Sequence, residues 1–189
     1  SFSFGFWWSL PLWVLFVFTL QFFRDPPRAI PQIDNAVVSP AHGKIISITQ
    51  MDDPFTGLKS TRISIFMNVF SVHSNRIPIS GIVTKREHFQ GQFLNAAVDK
   101  ASLQNERCSI QIQTEKGIHI TCVQVAGLIA RRILTYVNIG DTVAVGERYG
   151  FIRFGSRVDV YLPTNCKIVA SLGKWVISGT DVIAMLPSD

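Results

Sequence analysis

The stretch Ile152–Pro163, IRFGSRVDVYLP, reads as a β-strand with a Gly-Ser pair set between Arg153 and Arg157. Glycine inside a strand costs backbone entropy and offers nothing to pack, so Gly155 followed by the nucleophile-capable Ser156 asks for a reason. Two reasons are open. One is a bulge in a barrel strand, the commoner use of such a pair. The other is a peptide bond placed to react. The Ser156 hydroxyl attacks the preceding carbonyl if a base takes its proton and donors hold the oxyanion, converting the amide into an ester. A glycine at that carbonyl removes the Cβ that would block the approach. Elimination from the ester then breaks the chain and leaves a dehydroalanine that hydrolyses to a pyruvoyl group.

Outward from this stretch, the chain has 189 residues, one domain's worth with room for an appendage, and is 47% hydrophobic with a net charge of +5. The apolar residues are concentrated at the start. Phe2–Phe23 carries no charge and holds three of the four tryptophans and half of the phenylalanines. As a helix it would cover roughly 33 Å, close to the roughly 30 Å of bilayer hydrocarbon, so the expectation is an N-terminal hydrophobic membrane-anchor helix over residues 1–23. Pro11 either kinks a span or marks a helical hairpin that dips into the membrane. A signal peptide fits poorly, lacking a basic start and a small-residue cleavage site. Arg24 and Arg28 follow the apolar stretch and favour the cytoplasmic side of a cell (inner) membrane, and the positive charge of the remaining chain suits an anionic leaflet. No basic stripe interleaved with aromatics points to nucleic acid. Cys108, Cys122 and Cys166 lack metal-ligand spacing, so no metal site is expected and the thiols read as small core residues.

The Pro-rich segment 24–32, RDPPRAIPQ, reads as a linker, and the signals from residue 33 to 189 are mostly strand. The clearest hairpin is CSIQIQTEKGIHITC, where Ile110 and Ile112 share a face with Ile118, Ile120 and Cys122. A three-residue loop near Thr114 to Lys116 with Gly117 as the special-angle residue satisfies that sharing and places Cys108 opposite Cys122, with His119 on the polar face. GLIARRILTYV, residues 127–137, is ambiguous between helix and strand; its Arg131 and Arg132 read as an exposed dibasic pair or as phosphate contacts. GDTVAVG and GKWVISG form a faint internal repeat of the kind found in lipoyl or biotinyl carrier hairpins. The fold class expected is therefore mainly β, a compact β-barrel or sandwich with carrier-like hairpins behind the anchor. No exposed hairpin-tip lysine of the carrier kind stands out, which weakens a carrier function.

Six ordered blocks, FFRDPPRAIP, VVSPAHGKI, ISIFMNVFSVHSNRIPISGIV, FLNAAVDKASLQNER, QVAGLIARRI and RYGFIRFGSRVDVYLP, resemble the short prokaryotic form of phosphatidylserine decarboxylase along nearly the whole chain. The resemblance implies self-cleavage between Gly155 and Ser156, conversion of Ser156 to the pyruvoyl group, and no pyridoxal phosphate. The pyruvoyl ketone would then serve as the electron sink for decarboxylating phosphatidylserine to phosphatidylethanolamine. It further implies that the large and small cleavage chains stay together as a heterodimer, and that His73 transfers protons, as an imidazole titrating near neutrality can. One position departs: where the family has Asp in SPADG, this chain has His42, which cannot supply the negative charge that orients an imidazole; three outcomes stay open, namely His42 acting catalytically as the base itself, slow maturation, or an uncleaved precursor. An uncleaved, inactive homologue and a membrane-anchored carrier-like binding module are the alternatives. Arg76, Arg153 and Arg157 are candidates for the lipid phosphate or the serine carboxylate, or else surface charges.

Overall fold

The computed structural model describes residues 2–92, 95–97, 104–127, 132–153 and 155–187, with residues 2–8 described by their backbone only. A helix, α1 (Phe2–Phe22), is followed by β1 (Ala36–Val38), β2 (Gly43–Asp52), β3 (Lys59–Met67), β4 (Ser74–Arg76), β5 (Gly81–Phe89), β6 (Arg107–Gln113), β7 (His119–Val125), β8 (Ile133–Thr135), β9 (Thr142–Val143), β10 (Arg148–Ile152), β11 (Ser156–Pro163), β12 (Lys167–Ile168), β13 (Trp175–Val176) and β14 (Val182–Met185). Eight strands form one sheet in the order β13-β2-β3-β11-β7-β6-β5-β9, curled into a half-barrel, with the smaller sheets β1-β14-β12 and β4-β10-β8 beside it. The mainly β expectation is met in this form.

β11 lies near the middle of the large sheet and shows how alternation builds the core. Val158, Val160 and Leu162 enter the main cluster with Ile63, Ile65 and Met67 of β3, while Tyr161 packs on the other face with Val123, Val125 and Met51. Both faces of β11 are buried, which explains why Arg157 and Asp159 are buried too.

The predicted hairpin forms β6 and β7, with a correction of register. Thr114 N–H donates to the Ile118 carbonyl, so the loop is Glu115 to Gly117, one residue later than expected, with Gly117 at φ +77°. The shift makes Ile110 the partner of Cys122 and Gln124 the partner of Cys108. The isoleucines keep their common face because a two-residue change in pairing preserves the period of two. All three thiols are free and buried, and His119 is exposed. Of the ambiguous stretch 127–137, Ile133–Thr135 is strand and Arg132 is exposed, while 128–131, with Arg131, lie outside the described residues.

The internal repeat has a structural counterpart. Gly140, Gly146, Gly173 and Gly179 all take positive φ, and the valines between them, Val143 and Val176, are buried. Each repeat contributes a two-residue strand, and these two strands, β9 and β13, are the opposite edges of the eight-stranded sheet. The segment 24–32 contains no helix or strand, yet it packs on the body: a Cβ on Gly146 or Gly179 would meet Ile30 Cδ1.

The expected helix at the N-terminus is present and runs through Pro11. Among the described residues, however, no helix is long and apolar enough to cross a membrane, so the expected crossing is not found there. The last turn of α1 belongs to the protein core. Phe22 is fully buried, with its ring 6.0 Å from that of Phe151. Leu12, Trp13, Val14, Leu15, Phe16, Val17 and Leu20 are exposed.

Gly140 and Gly43 separate two reasons for glycine. A Cβ on Gly140 meets nothing within 4 Å, and only its φ of +94° resists substitution; Gly140→Ala is expected to cost about 1–2 kcal/mol. On Gly43 a Cβ would overlap the Phe66 carbonyl oxygen, so Gly43→Ala should lower the urea midpoint by more. Equal midpoints for the two variants would contradict this assignment.

Candidate functional site

The register of the central strands brings distant parts of the sequence to one end of the sheet. Lys44, Phe66, Arg157 and Val125 lie in one row across β2, β3, β11 and β7. One step along, Ser156 pairs with Met67, and Gly43, the first residue of β2, lies on the same side of that row. His42 immediately precedes Gly43. His73 ends the loop between β3 and β4, where its carbonyl accepts from Ile152 N–H at 3.4 Å and the next residue, Ser74, pairs with Phe151. His42, His73 and the Gly155-Ser156 bond are thereby brought to one end of the fold.

Ser156 is completely buried, and its Oγ has no hydrogen-bond partner among the described residues. Gly155 has φ +60°, and a Cβ placed on it would meet nothing within 4 Å, so the left-handed backbone and not crowding requires glycine. Ser64, Ser74, Thr121, Tyr149 and Ser178 carry buried hydroxyls likewise without a partner among the described residues, and Ser156 differs from them in following a left-handed glycine.

The His73 ring is also completely buried. Its Nδ1 lies 2.9 Å from the Ser71 carbonyl. Because a carbonyl only accepts, Nδ1 carries the proton and Nε2 presents its lone pair. Nε2 is buried with no partner among the described residues. The ring lies 4.4 Å from that of Phe22 and 6.3 Å from that of Phe151. Burial pushes the imidazole pKa down to about 4; the Ser71 hydrogen bond opposes this, while Arg24 and His42 add to it. His42 is half-buried, with Nδ1 lacking a partner among the described residues and its ring edge-on to Trp175 at 6.5 Å. Burial first, then Arg28 and Arg24, lower its pKa, with Asp181 opposing. Both imidazoles are therefore neutral at pH 7, and His73 presents an acceptor nitrogen, Nε2, rather than a second donor.

Gly127 was not singled out from the sequence. With Arg157 opposite Val125, continuing the β7–β11 register brings Gly127 against Gly155. A Cβ on Gly127 would overlap the Gly155 carbonyl oxygen. The backbone of Gly127 is not left-handed, so what a side chain there violates is the space of that carbonyl. Asn105, fully buried, donates from Nδ2 to the Ala126 carbonyl at 2.7 Å and fixes the end of β7. The available signal was an Ala-Gly pair closing an apolar strand, which has no meaning until the opposite strand is known.

The three candidate arginines separate. Arg157 is fully buried; its Nε lies 2.9 Å from Asp159 Oδ1, and one Nη donates to the Ala96 carbonyl at 3.0 Å. Strand alternation sends it to the face opposite Ser156. Arg153 is exposed. Arg76 pairs with Asp25 at 2.6 Å and donates to the Gly146 carbonyl at 2.9 Å. Among the described residues no three His, Cys, Asp or Glu side chains are arranged to hold a metal ion.

The family model described as phosphatidylserine decarboxylase matches residues 15–184. A protein of Aromatoleum aromaticum named phosphatidylserine decarboxylase proenzyme is 55% identical over 183 residues, covering 97% of this chain and 85% of the relative. Proteins of the same name from Cupriavidus metallidurans and Burkholderia pseudomallei are 53% and 54% identical, each again over 97% of this chain and 85% of their own.

The depressed His73 pKa has a thermodynamic consequence. Above about pH 6.5 the ring is neutral folded or unfolded; below it the unfolded chain takes up a proton that the folded ring refuses until about pH 4. Folded stability attributable to this ring should fall by on the order of 3 kcal/mol as pH drops from 6.5 to 4, then level off. Urea unfolding of His73→Gln across this range should show a correspondingly shallower loss than the parent; parallel curves would refute the assignment.

Proposed function

The chain belongs to the phosphatidylserine decarboxylase family, and on that premise we propose that it cleaves itself between Gly155 and Ser156, turns Ser156 into a pyruvoyl group, and decarboxylates phosphatidylserine to phosphatidylethanolamine with release of CO2. The observation that supports this most directly is a fully buried serine with an unpartnered hydroxyl, placed after a left-handed glycine at the strand end that His73 also approaches. These residues fit the group. The hydroxyl is shielded from water, the scissile carbonyl has a defined seat against Gly127, and the nearby base is neutral.

His73 Nε2 takes the Ser156 hydroxyl proton as Oγ bonds to the Gly155 carbonyl carbon; the carbon–nitrogen bond breaks and the nitrogen is protonated, leaving an ester. Loss of the Ser156 α-proton expels the Gly155 carboxylate and ends the chain there. Water then replaces the nitrogen of the resulting dehydroalanine, releasing ammonia. The pyruvoyl ketone, once formed, supplies the electron sink for decarboxylation. The two products remain a heterodimer because β11, which begins at Ser156, is laddered on both sides to β3 and β7.

His42, in place of the family aspartate, removes a carboxylate that would orient the base. In this chain the Ser71 carbonyl fixes the His73 tautomer, so the imidazole is oriented without that charge. An uncleaved homologue is the second reading, favoured by the same His42. Location at the cell membrane is supported by the exposed apolar residues of α1 and by Phe70, also exposed, whose carbonyl accepts from Gln21 and Arg24, and the cytoplasmic face by Arg24 and Arg28 just past the helix. Both ester- and ether-linked serine phospholipids present the same head group. The positive-φ glycines of the two repeats support a carrier-like origin for the hairpins.

Intact-mass analysis should find two chains meeting at Ser156, the smaller without a free amino terminus and reactive toward hydroxylamine. Ser156→Ala should remain one chain and release no CO2; scission in that variant would end the proposal. Gly127→Ala should slow scission by about tenfold or more, since displacing a reacting group by an ångström costs on the order of a hundredfold. His42→Asp should mature at least as fast as the parent, and a slower rate would show that His42 itself serves the reaction.

A further inference from the structure

Around the C-terminal end of α1 the charges do not balance. Asp25 faces two guanidiniums, Arg76 at 2.6 Å and Arg148 at 3.7 Å. Arg24 donates to two carbonyls, those of Gln21 at 2.6 Å and Phe70 at 3.0 Å. Arg28 keeps its Nε and one Nη buried with no hydrogen-bond partner among the described residues, and Arg76 Nε is in the same condition. The two side chains lie over one turn: a Cβ on Gly179 would stand 2.9 Å from Arg76 Cδ and 3.6 Å from Arg28 Cβ. Burial and the neighbouring Arg76 both disfavour the charge on Arg28, with Asp25 opposing. The other nearby carboxylate, Asp181, accepts from Ile177 N–H at 2.8 Å.

A guanidinium withdrawn from water without an anion is costly, and several converging on one carboxylate leave a place for a second anion. A phosphate suits it because its oxygens accept paired N–H donors from more than one arginine. The location selects the form of phosphate. The cluster borders both the apolar helix and the two imidazoles: Arg24 and Asp25 follow α1 closely, Arg76 lies on β4 three residues after His73, and its backbone N–H donates at 2.9 Å to the carbonyl of Pro40, two residues before His42. A headgroup phosphate must occupy that boundary when its acyl chains remain in an apolar layer and its serine reaches the reacting bond.

Resting on the function proposed above, we infer that Arg28, together with the unpartnered N–H of Arg76, forms the subsite for the phosphodiester of the serine phospholipid. Arg157, buried against Asp159 and the Ala96 carbonyl, is not part of it.

The test uses the full chain with two ligands, inorganic phosphate and monomeric short-chain phosphatidylserine. Phosphate should raise the Tm of the parent and compete with the lipid. Arg28→Gln should lose that protection and raise KM for the lipid about tenfold or more with kcat within about twofold, a loss of ground-state binding. Arg28→Lys, which keeps the charge but not the fork, should recover part of the KM and guards against misfolding of the Gln variant. An unchanged KM in Arg28→Gln overturns the inference, as does a parent that phosphate does not protect. Loss of phosphate protection with KM intact means a free-anion site and also overturns the lipid assignment. A parent that never cleaves at Ser156 refutes the function instead, and the phosphate arm then decides the anion subsite by itself.

Discussion

The ladder that holds β11 between β3 and β7 is the constraint from which the site follows. Pairing Ser156 with Met67 on one side and Arg157 with Val125 on the other leaves the first residue of the strand no freedom to turn its hydroxyl toward water. The same pairing carries Gly155 into the space that Gly127 vacates by having no side chain. A strand buried on both faces is needed for this. An edge strand could relieve an unpartnered hydroxyl and a left-handed glycine by fraying, whereas a central one must accept them.

Charge is arranged around that strand in two different ways. On the face away from Ser156, Arg157 and Asp159 sit at alternate positions and neutralise each other in contact, so the buried pair holds the Ala96 carbonyl without presenting net charge to the Gly155-Ser156 bond. On the other side the two imidazoles are kept neutral by burial and by arginines nearby. A base that is neutral at working pH, with one nitrogen tied to a backbone carbonyl, needs no carboxylate to set its tautomer. That is a physical route by which His42 is accommodated beside His73.

The helix is tied into these arrangements at its C-terminal end. Its last turn places Phe22 against His73, while Gln21 and Arg24 grip the carbonyl of Phe70 in the loop that carries the histidine. The end of the apolar segment thus packs against His73, and the connector that follows it does more than separate two parts.

Much of this was legible in the residues. Alternation in CSIQIQTEKGIHITC revealed the shared isoleucine face, because period two is a local property; the pairing itself was two residues off, because the Thr114 to Ile118 hydrogen bond selects the loop. The Gly-x-x-Val-x-x-Gly repeat was visible, but not that its strands would become the two outer edges of one sheet. Arg157 and Asp159 could have been paired from their spacing, since residues two apart on a strand share a face. By itself, the sequence determined the mainly β class, the helical apolar segment and the family resemblance, since composition, period and motif are written along the chain. Only the tertiary structure decided that Gly127 opposes Gly155, that Arg157 turns away, and that Arg28 keeps buried N–H groups without a partner among the described residues. Those facts depend on which strands become neighbours and in what register, and register is a property of the assembled sheet that no single segment contains.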